Sequence, residues 1–481
     1  MNNLPEEIIC QILNNLQNAI DIFNFSLTSR NNRNIVTNNK KTFNCVSILD
    51  IKFINDMSII FGKLKIKTDK YTTDLSILKN IDLINVIEID LSNCYKIYDI
   101  SILKNINKIN LNGCKNLKDV NILENCKELD LSYCTLINDV SMLGKVKKLN
   151  LSGCNKITDV SMLGNCEELN LSFCNLIIDI SKLVNIKKIN LSGCNKITDV
   201  SMLGNVKELD LSYCTVSDLS KLVNIKILNL SCCINIIDVS MLRNVKKLNL
   251  SYCSITDVSM LGNVEELDLS NCKLITNVSN LRNVKNLNLN NCVNITDFIN
   301  LENCEELDLT DCIITDVSKL GNVRILNLSR CINIIDVSML GNVKKLNLSG
   351  TYITDVSMLG NVEELDLSYC TLINDVSKLE NVKILNLSRC INIKDVSMLG
   401  NCEELNLSFC SLIKDVSMLG NVKKLKLSYC ENITDVSMLI NCLELDLTES
   451  INILDVSTLG KINKLKLSYC ENITDVSMFK N

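Results

Sequence analysis

Two residue types with reactive side chains, Asp and Cys, recur along this chain at a nearly constant spacing. An acidic position returns about every twenty residues from Asp99 to Asp475, with Asn277 in one copy. Eighteen Cys precede these positions, five residues away in the full-length copies, beginning with Cys94 and ending with Cys470. Carboxylates and thiolates in register are metal ligands, and accessible thiolates do redox chemistry. The spacing therefore raises two hypotheses, a metal site and a thiol centre.

The substitutions within the pattern favour a structural interpretation of both residues. Thr351 and Ser450 replace Cys in two copies, and five other Cys alternate with Val at a second repeat position, as a small core residue does. The carboxylate of an Asp such as Asp159 is expected to accept backbone N–H groups at the start of a short helical turn. The chain contains no His, which excludes Ser-His, Cys-His and His-metal chemistry. We predict no catalytic residue, no cofactor and no metal site.

The recurring residues belong to a repeat that occurs twenty times. A clean copy runs from Val146 to Asn165 as VKKLNLSGCNKITDVSMLGN, and four copies are one residue shorter. One such unit cannot bury its own apolar face, so neighbouring units must stack into a solenoid. A solenoid offers a long surface, which favours binding over catalysis.

Each copy begins with alternating apolar and polar residues, which predicts a β-strand. Leu149 and Leu151 are expected to point inward, whereas Lys148, Asn150 and Ser152 are expected to point outward. Because every copy enters from the same side, successive strands should be parallel.

The end of each copy carries turn residues. Gly164 and Asn165 predict a tight, partly left-handed return to the next strand. The pattern V-x-x-L-x-L-S-x-C-x-x-I resembles the cysteine variant of the leucine-rich repeat, and I-T-D-V-S-x-L-x-N is similar to internalin-type repeats. The resemblance implies an α/β solenoid: a right-handed coil with one long parallel sheet on its concave side and short 3-10 turns on its convex side.

Three segments follow from this pattern. The solenoid of about twenty repeats occupies residues 81–481, and residues 41–80 form a transition with a degraded capping copy. In that copy Leu64 and Ile66 stand at the strand positions, and Asp69 and Asp74 stand where Cys and Asp are expected. Residues 1–40 form a separate segment.

Apolar residues in the first forty positions have helical spacing, which by itself predicts a helical cap for the solenoid. The segment also resembles an F-box, with Ser29, Arg30 and Arg33 matching its second half and Asn32 standing where the family usually has Trp. The resemblance implies docking on the adaptor subunit of a cullin-type ubiquitin ligase, with the repeats selecting a protein substrate. The expected adaptor-binding residues are Leu4, Pro5, Glu7, Ile8, Ile12, Leu13, Leu16, Phe23 and Leu27.

Two outward positions of the repeat carry larger side chains. One alternates in charge, as Glu88, Lys108, Glu128 and Lys148 do, and we interpret it as a device that fixes stacking register rather than a ligand site. The other, directly before the Cys, holds aromatic and Arg residues, which either pack the turn or form a partner-binding rim. These are Tyr133, Phe173, Tyr213, Tyr252, Arg330, Tyr369, Arg389, Phe409, Tyr429 and Tyr469.

Net charge, the length of apolar runs and the number of Cys limit which partners and which cell compartment we expect. The net charge of −5 gives no basic footprint for nucleic acid, and the apolar runs are too short for a membrane span. Many free thiols predict a reducing compartment, the cytoplasm, or a host cytoplasm if the source is a virus. We predict a non-catalytic substrate-recognition subunit of a ubiquitin ligase. The alternatives are an internalin-like recognition or adhesion protein and a ligase enzyme fused to leucine-rich repeats.

Overall fold

The computed structural model describes residues 46–48, 64–67, 75, 86–298 and 300–476. Within these residues the chain forms short β-strands, turns and 3-10 helices, and no α-helix. The predicted helical segment at residues 1–40 lies outside them. The chain divides into two units, Met1–Asn235 and Ile236–Asn481.

The strands of each unit pair in parallel with their sequence neighbours, as predicted. In unit 1 they are β1 (Val46–Ile48), β2 (Leu64–Lys67), β3 (Val86–Asp90), β4 (Lys108–Asn110), β5 (Glu128–Asp130), β6 (Lys148–Asn150), β7 (Glu168–Asn170), β8 (Lys188–Asn190), β9 (Glu208–Asp210) and β10 (Ile227–Asn229). In unit 2 they are β11 (Lys247–Asn249), β12 (Glu266–Asp268), β13 (Asn286–Asn288), β14 (Glu306–Asp308), β15 (Ile325–Asn327), β16 (Lys345–Asn347), β17 (Glu364–Asp366), β18 (Ile384–Asn386), β19 (Glu404–Asn406), β20 (Lys424–Lys426), β21 (Glu444–Asp446) and β22 (Lys464–Lys466). The register places equivalent residues side by side, with Leu149 between Leu129 and Leu169. Strands β3 to β22 belong to the twenty repeat copies, and we call each copy with its strand a rung.

The first two strands lie before the clean repeats. Strand β2 contains Leu64 and Ile66, which the sequence placed in a strand, and it pairs with β1 and β3. Strand β1 was not predicted, because its segment lacks the Asp and Cys that mark a copy. Asp69 and Asp74 lie outside the described residues.

Short 3-10 helices follow most strands, as the resemblance implied. They are Ser101–Leu103, Asn121–Leu123, Ser141–Lys145, Ser161–Asn165 and Ser201–Leu203 in unit 1, and Ser240–Leu242, Ser259–Leu261, Ser279–Leu281, Leu320–Asn322, Ser338–Leu340, Ser357–Leu359, Ser397–Asn401, Ser417–Leu419 and Ser457–Lys461 in unit 2. Each buries one Leu, such as Leu163, against the strand leucines.

The core repeats from rung to rung. Leu149, Leu151 and Cys154 are buried, as predicted, and Lys148 is exposed. The prediction that Ser152 points outward was wrong, since only 8% of this residue is exposed. It follows the strand end, where its hydroxyl accepts a hydrogen bond from Ser172 Oγ at 2.7 Å.

The glycine in or directly after most 3-10 helices has a different role from the one predicted. Gly164 does not have a positive φ, so the left-handed return expected at this position was wrong. A Cβ atom on Gly164 would lie 2.3 Å from the carbonyl oxygen of Lys182 in the next rung. Glycine therefore permits close approach of successive rungs, and the left-handed residue lies elsewhere.

Candidate partner-binding rim and grooves

After most strands the chain makes a four-residue turn that begins at the Asn or Asp side chain ending the strand. Asp130 Oδ1 accepts the backbone N–H of Ser132 at 2.8 Å, and the N–H of Cys134 then donates to the carbonyl of Leu131 at 3.1 Å. The third residue of this turn, Tyr133, has φ +57°. A positive φ at this position is the requirement of a type II turn, which favours Gly or Asn there.

All ten residues predicted to form a partner-binding rim occupy this left-handed position, with φ between +57° and +64°. We keep the name rim for these ten side chains. Glycine fills the same place in Gly113, Gly153, Gly193 and Gly350. Because a left-handed residue with a Cβ costs about 1–2 kcal/mol, bulky side chains stand here in spite of backbone strain. Strained backbone of this kind is found more often at functional sites, which is a reason to ask whether the rim binds a partner.

The rim side chains pack on their neighbours and also remain accessible. The rings of Tyr133 and Phe173 lie over Gly153 and Gly193 of the next rungs, where a Cβ would come within 2.8 Å of a ring carbon. Even so, Tyr213 is 60% exposed and Tyr469 is 71% exposed. The rim therefore covers part of each turn and leaves aromatic surface open to solvent. Its role in partner binding stays a prediction.

In unit 2 four consecutive rim residues form one continuous stack, which we call the aromatic stack. The Arg389 guanidinium lies 5.1 Å from the Tyr369 ring centroid and 4.0 Å from that of Phe409. Phe409 and Tyr429 stack with centroids 4.3 Å apart and ring planes 9° from parallel. Elsewhere on the rim Arg330 forms a two-pronged ion pair with Asp311.

Replacing Tyr213 with Gly tests whether the rim serves stability. We expect the free energy of unfolding to stay within about 1 kcal/mol of the parent, because relief of left-handed strain offsets the lost ring contacts. Leu211→Ala in the same rung should cost about 2–5 kcal/mol, since Leu211 is fully buried. Urea unfolding measures both. If both variants lost the same free energy of unfolding, the rim would serve packing only.

The outward faces of the strands line a shallow groove in each unit. Along them Glu and Lys alternate, and ion pairs link adjacent rungs, with Lys188 Nζ 2.9 Å from Glu208 Oε1. Where alternation stops, a neutral residue takes the position, as Ile384 does between Glu364 and Glu404 and Ile325 does between Glu306 and Lys345. Because each exposed pair contributes only about 0–1 kcal/mol, the ladder selects register more than it adds stability. This arrangement confirms the predicted charge ladder.

The described cysteines are free, and all but Cys232 are buried. Each repeat thiol does more than fill space: Cys134 Sγ donates to the carbonyl of Leu111, one rung earlier, at 3.1 Å. Ser450 Oγ makes the same bond to Leu427 at 2.8 Å. The exchange of Cys for Ser was the sequence signal for this donor role. Burial raises the pKa of Cys154 to about 12, so the thiol stays protonated at neutral pH.

Thiol titration tests this arrangement. We expect nearly all 26 Cys of the chain to react after denaturation without reductant, and few to react in the folded protein. Stacked thiols that bond to backbone carbonyls do not face one another as a disulfide requires. Several disulfides in the denatured, unreduced protein would overturn both the thiol arrangement and the inference of a reducing compartment.

The Asp of each repeat was expected to accept backbone N–H groups of its own turn, and Asp159 shows this bond. Asp159 Oδ1 accepts the N–H of Ser161, the first residue of a 3-10 helix, at 2.8 Å. This backbone hydrogen bond lowers the pKa of the Asp159 carboxyl. In residues 86–298 and 300–476 no group of three or more Cys, Asp or Glu is placed to hold a metal ion.

Two kinds of family model match parts of this chain. Residues 1–44 match the F-box domain. Residues 145–163, 242–261 and 263–284 match leucine-rich repeat models. The nine expected adaptor-binding residues fall inside the F-box match but outside the described structure. No curated protein is significantly similar in sequence to this chain.

Two of the solved structures that resemble this chain come from bacterial proteins. The leucine-rich repeat protein LIC12759 from Leptospira interrogans is 22% identical, with 78% of this chain and 99% of that one covered and a TM-score of 0.50. The functional domain of InlJ from Listeria monocytogenes, described as including a cysteine ladder, is 22% identical, with coverage of 62% and 78% and a TM-score of 0.43. The similarity to LIC12759, together with the matching repeat models, shows the leucine-rich repeat fold. In the described part of the chain, no helix has the length and apolar character needed to cross a membrane.

Proposed function

We propose that this chain, in which an F-box match precedes a leucine-rich-repeat solenoid, is a substrate-recognition subunit of a cullin-type ubiquitin ligase. The F-box match at residues 1–44 is the observation that carries the proposal. In this function residues 1–44 bind the adaptor subunit, and the repeats bind a protein substrate in the cytoplasm. The combination of an F-box with leucine-rich repeats indicates a protein-interaction scaffold. We propose more specifically that this scaffold works as part of the ligase.

The chemistry of the repeats supports a role without catalysis. The chain has no His to act as a general base, and burial holds the thiols of residues such as Cys292 in the protonated form. Most outward residues are ion-paired Glu and Lys or hydrogen-bonded Asn and Asp, such as Asn150 bound to Asp130 at 3.0 Å. Such surfaces bind and orient partners. The ubiquitin transfer itself would be carried out by other subunits.

The rim supports the assignment of substrate binding to the repeats. Aromatic and Arg residues are the types that dominate binding energy at protein interfaces. Here they stand at one fixed place in ten of the rungs, exposed or half-buried, on a hydrogen-bonded turn. A rigid array of this kind loses little conformational entropy when a partner binds.

A direct binding measurement tests the proposed function. The full chain is immobilised, and purified adaptor subunit is titrated by surface plasmon resonance. We expect saturable binding at micromolar or lower concentration, because a short helical module with one apolar face favours a partner groove. Absence of binding at these concentrations would remove the ligase function. The chain would then be a recognition solenoid, as in the internalin-like alternative.

A further inference from the structure

The two grooves differ in charge, although the same repeat builds both. The groove of unit 1, along β3 to β10, is lined by three Lys and six Asp or Glu. The groove of unit 2, along β18 to β22, is lined by four Lys and three Asp or Glu. The difference arises because Lys426 and Lys466 replace the Asn or Asp that ends the other repeat strands.

One of these lysines has no ion pair of its own. Lys424, Lys464 and Lys466 pair with Glu404, Glu444 and Asp446 at 2.5, 3.3 and 3.0 Å. Lys426 is exposed, and among the residues that the structure describes it has no carboxylate within 4.0 Å. Asp446 stands between Lys426 and Lys466 in register and pairs with Lys466, so two lysines share one carboxylate. The resulting excess of positive charge attracts an anionic partner to this groove.

The aromatic stack lies beside this lysine. Tyr429 is three residues beyond Lys426, so their Cα atoms are at most ~11 Å apart. Arg389 lies in the turn after β18, two rungs before the rung of β20, and also has no carboxylate within 4.0 Å among the described residues. The rings of Tyr369 and Phe409 flank its guanidinium. Two rungs span ~10 Å, the length of about three extended residues.

We propose that the aromatic stack together with Lys426 binds an acidic, extended peptide segment of a protein partner. Carboxylates of the segment pair with Arg389 and Lys426, and its apolar atoms lie on the exposed ring surface of Tyr369 and Tyr429. A nucleic acid fits less well, because it carries a phosphate at every nucleotide, and phosphates beyond those held by Arg389 and Lys426 would face Glu404 and Glu444. A peptide can place acidic side chains at the two cations and neutral side chains elsewhere. This inference deepens the proposed function by giving the chemical class of the substrate segment.

Selection from a library of random peptides of about twelve residues, on the immobilised full chain, tests the proposal. We expect enrichment of Asp and Glu over the input library. A synthetic copy of the most enriched peptide should bind about tenfold or more weakly to the double variant Arg389→Gln, Lys426→Asn, a loss of about 1.4 kcal/mol. Asn already ends the neighbouring strands at Asn386 and Asn406, so the second change suits the fold.

The matched control is Arg282→Gln, Lys156→Asn, which removes the same two charges at exposed positions outside the rim and the two grooves and should leave peptide binding unchanged. Recovery of peptides without acidic enrichment, or equal weakening by the control, would overturn the proposal. Tighter binding of a single-stranded oligouridylate of about twelve nucleotides to the same residues would identify a nucleic-acid site instead. The peptide experiment does not include the adaptor subunit. A negative result there would exclude the peptide site, and a negative adaptor titration would exclude the ligase function.

Discussion

Replacing Leu169 with Asp is expected to divide the unfolding of unit 1 into two transitions. Leu169 is only 3% exposed and lies between Leu149 and Ile189. A buried carboxylate without a partner costs about 3–5 kcal/mol. Because each rung contacts mainly its neighbours, this cost interrupts the coupling between the two sides. Urea unfolding followed by circular dichroism measures the transitions, and limited proteolysis with mass spectrometry should place new cleavage near residue 169.

Asn170→Asp is the control for this substitution, since it adds the same charge one residue away. Asn170 Oδ1 accepts the N–H of Ser172 at 3.0 Å, and Asp130 makes the equivalent bond to Ser132 at 2.8 Å. We expect a change within about 0.5 kcal/mol for this outward substitution. If Leu169→Asp kept one unfolding transition at the parent midpoint, stacking of rungs would not be the source of stability.

The double substitution Leu4→Ala and Pro5→Ala is expected to abolish adaptor binding while the repeats stay folded. Leu4 and Pro5 open the F-box match, and truncating central interface residues commonly costs about 2–4 kcal/mol each. Their combined loss should weaken binding by about 100-fold or more. Surface plasmon resonance of the full-length variant against purified adaptor gives the affinity, and the urea midpoint of the repeats reports folding.

Two further variants separate this effect from a general disturbance of the N-terminus. Asn2→Ala and Asn3→Ala change polar neighbours and should retain the parent affinity. Asn32→Trp restores the residue usual in the F-box and should strengthen binding. Unchanged affinity in the Leu4 and Pro5 variant would contradict the assigned docking residues.

Periodicity made the repeat architecture predictable from the sequence. Alternation around Leu149 and Leu151 predicts a strand, and twenty equivalent copies require parallel stacking. The charge ladder also followed from the sequence, because strands in register bring Lys188 beside Glu208. Which side chains are adjacent on neighbouring strands depends only on the spacing of the repeats.

Backbone conformation was the part that sequence analysis located incorrectly. Gly164 was expected to be left-handed because glycine tolerates positive φ, yet it serves close packing. The left-handed position is shared by Gly153 and bulky residues such as Tyr133, and this exchange hid the strained turn. The aromatic stack depends on side-chain geometry across several rungs, which the spacing of Arg389 and Phe409 alone does not specify.

Co-purification from the native cell tests the central claim most directly. The full chain and a variant lacking residues 1–44 are each tagged and captured, and bound proteins are quantified by mass spectrometry. The full chain should retain the adaptor and a cullin together with partners of the repeats. The truncated chain should retain the repeat partners and lose both ligase subunits. Absence of adaptor and cullin from the full chain, with repeat partners still bound, would contradict the ligase function and leave a recognition solenoid.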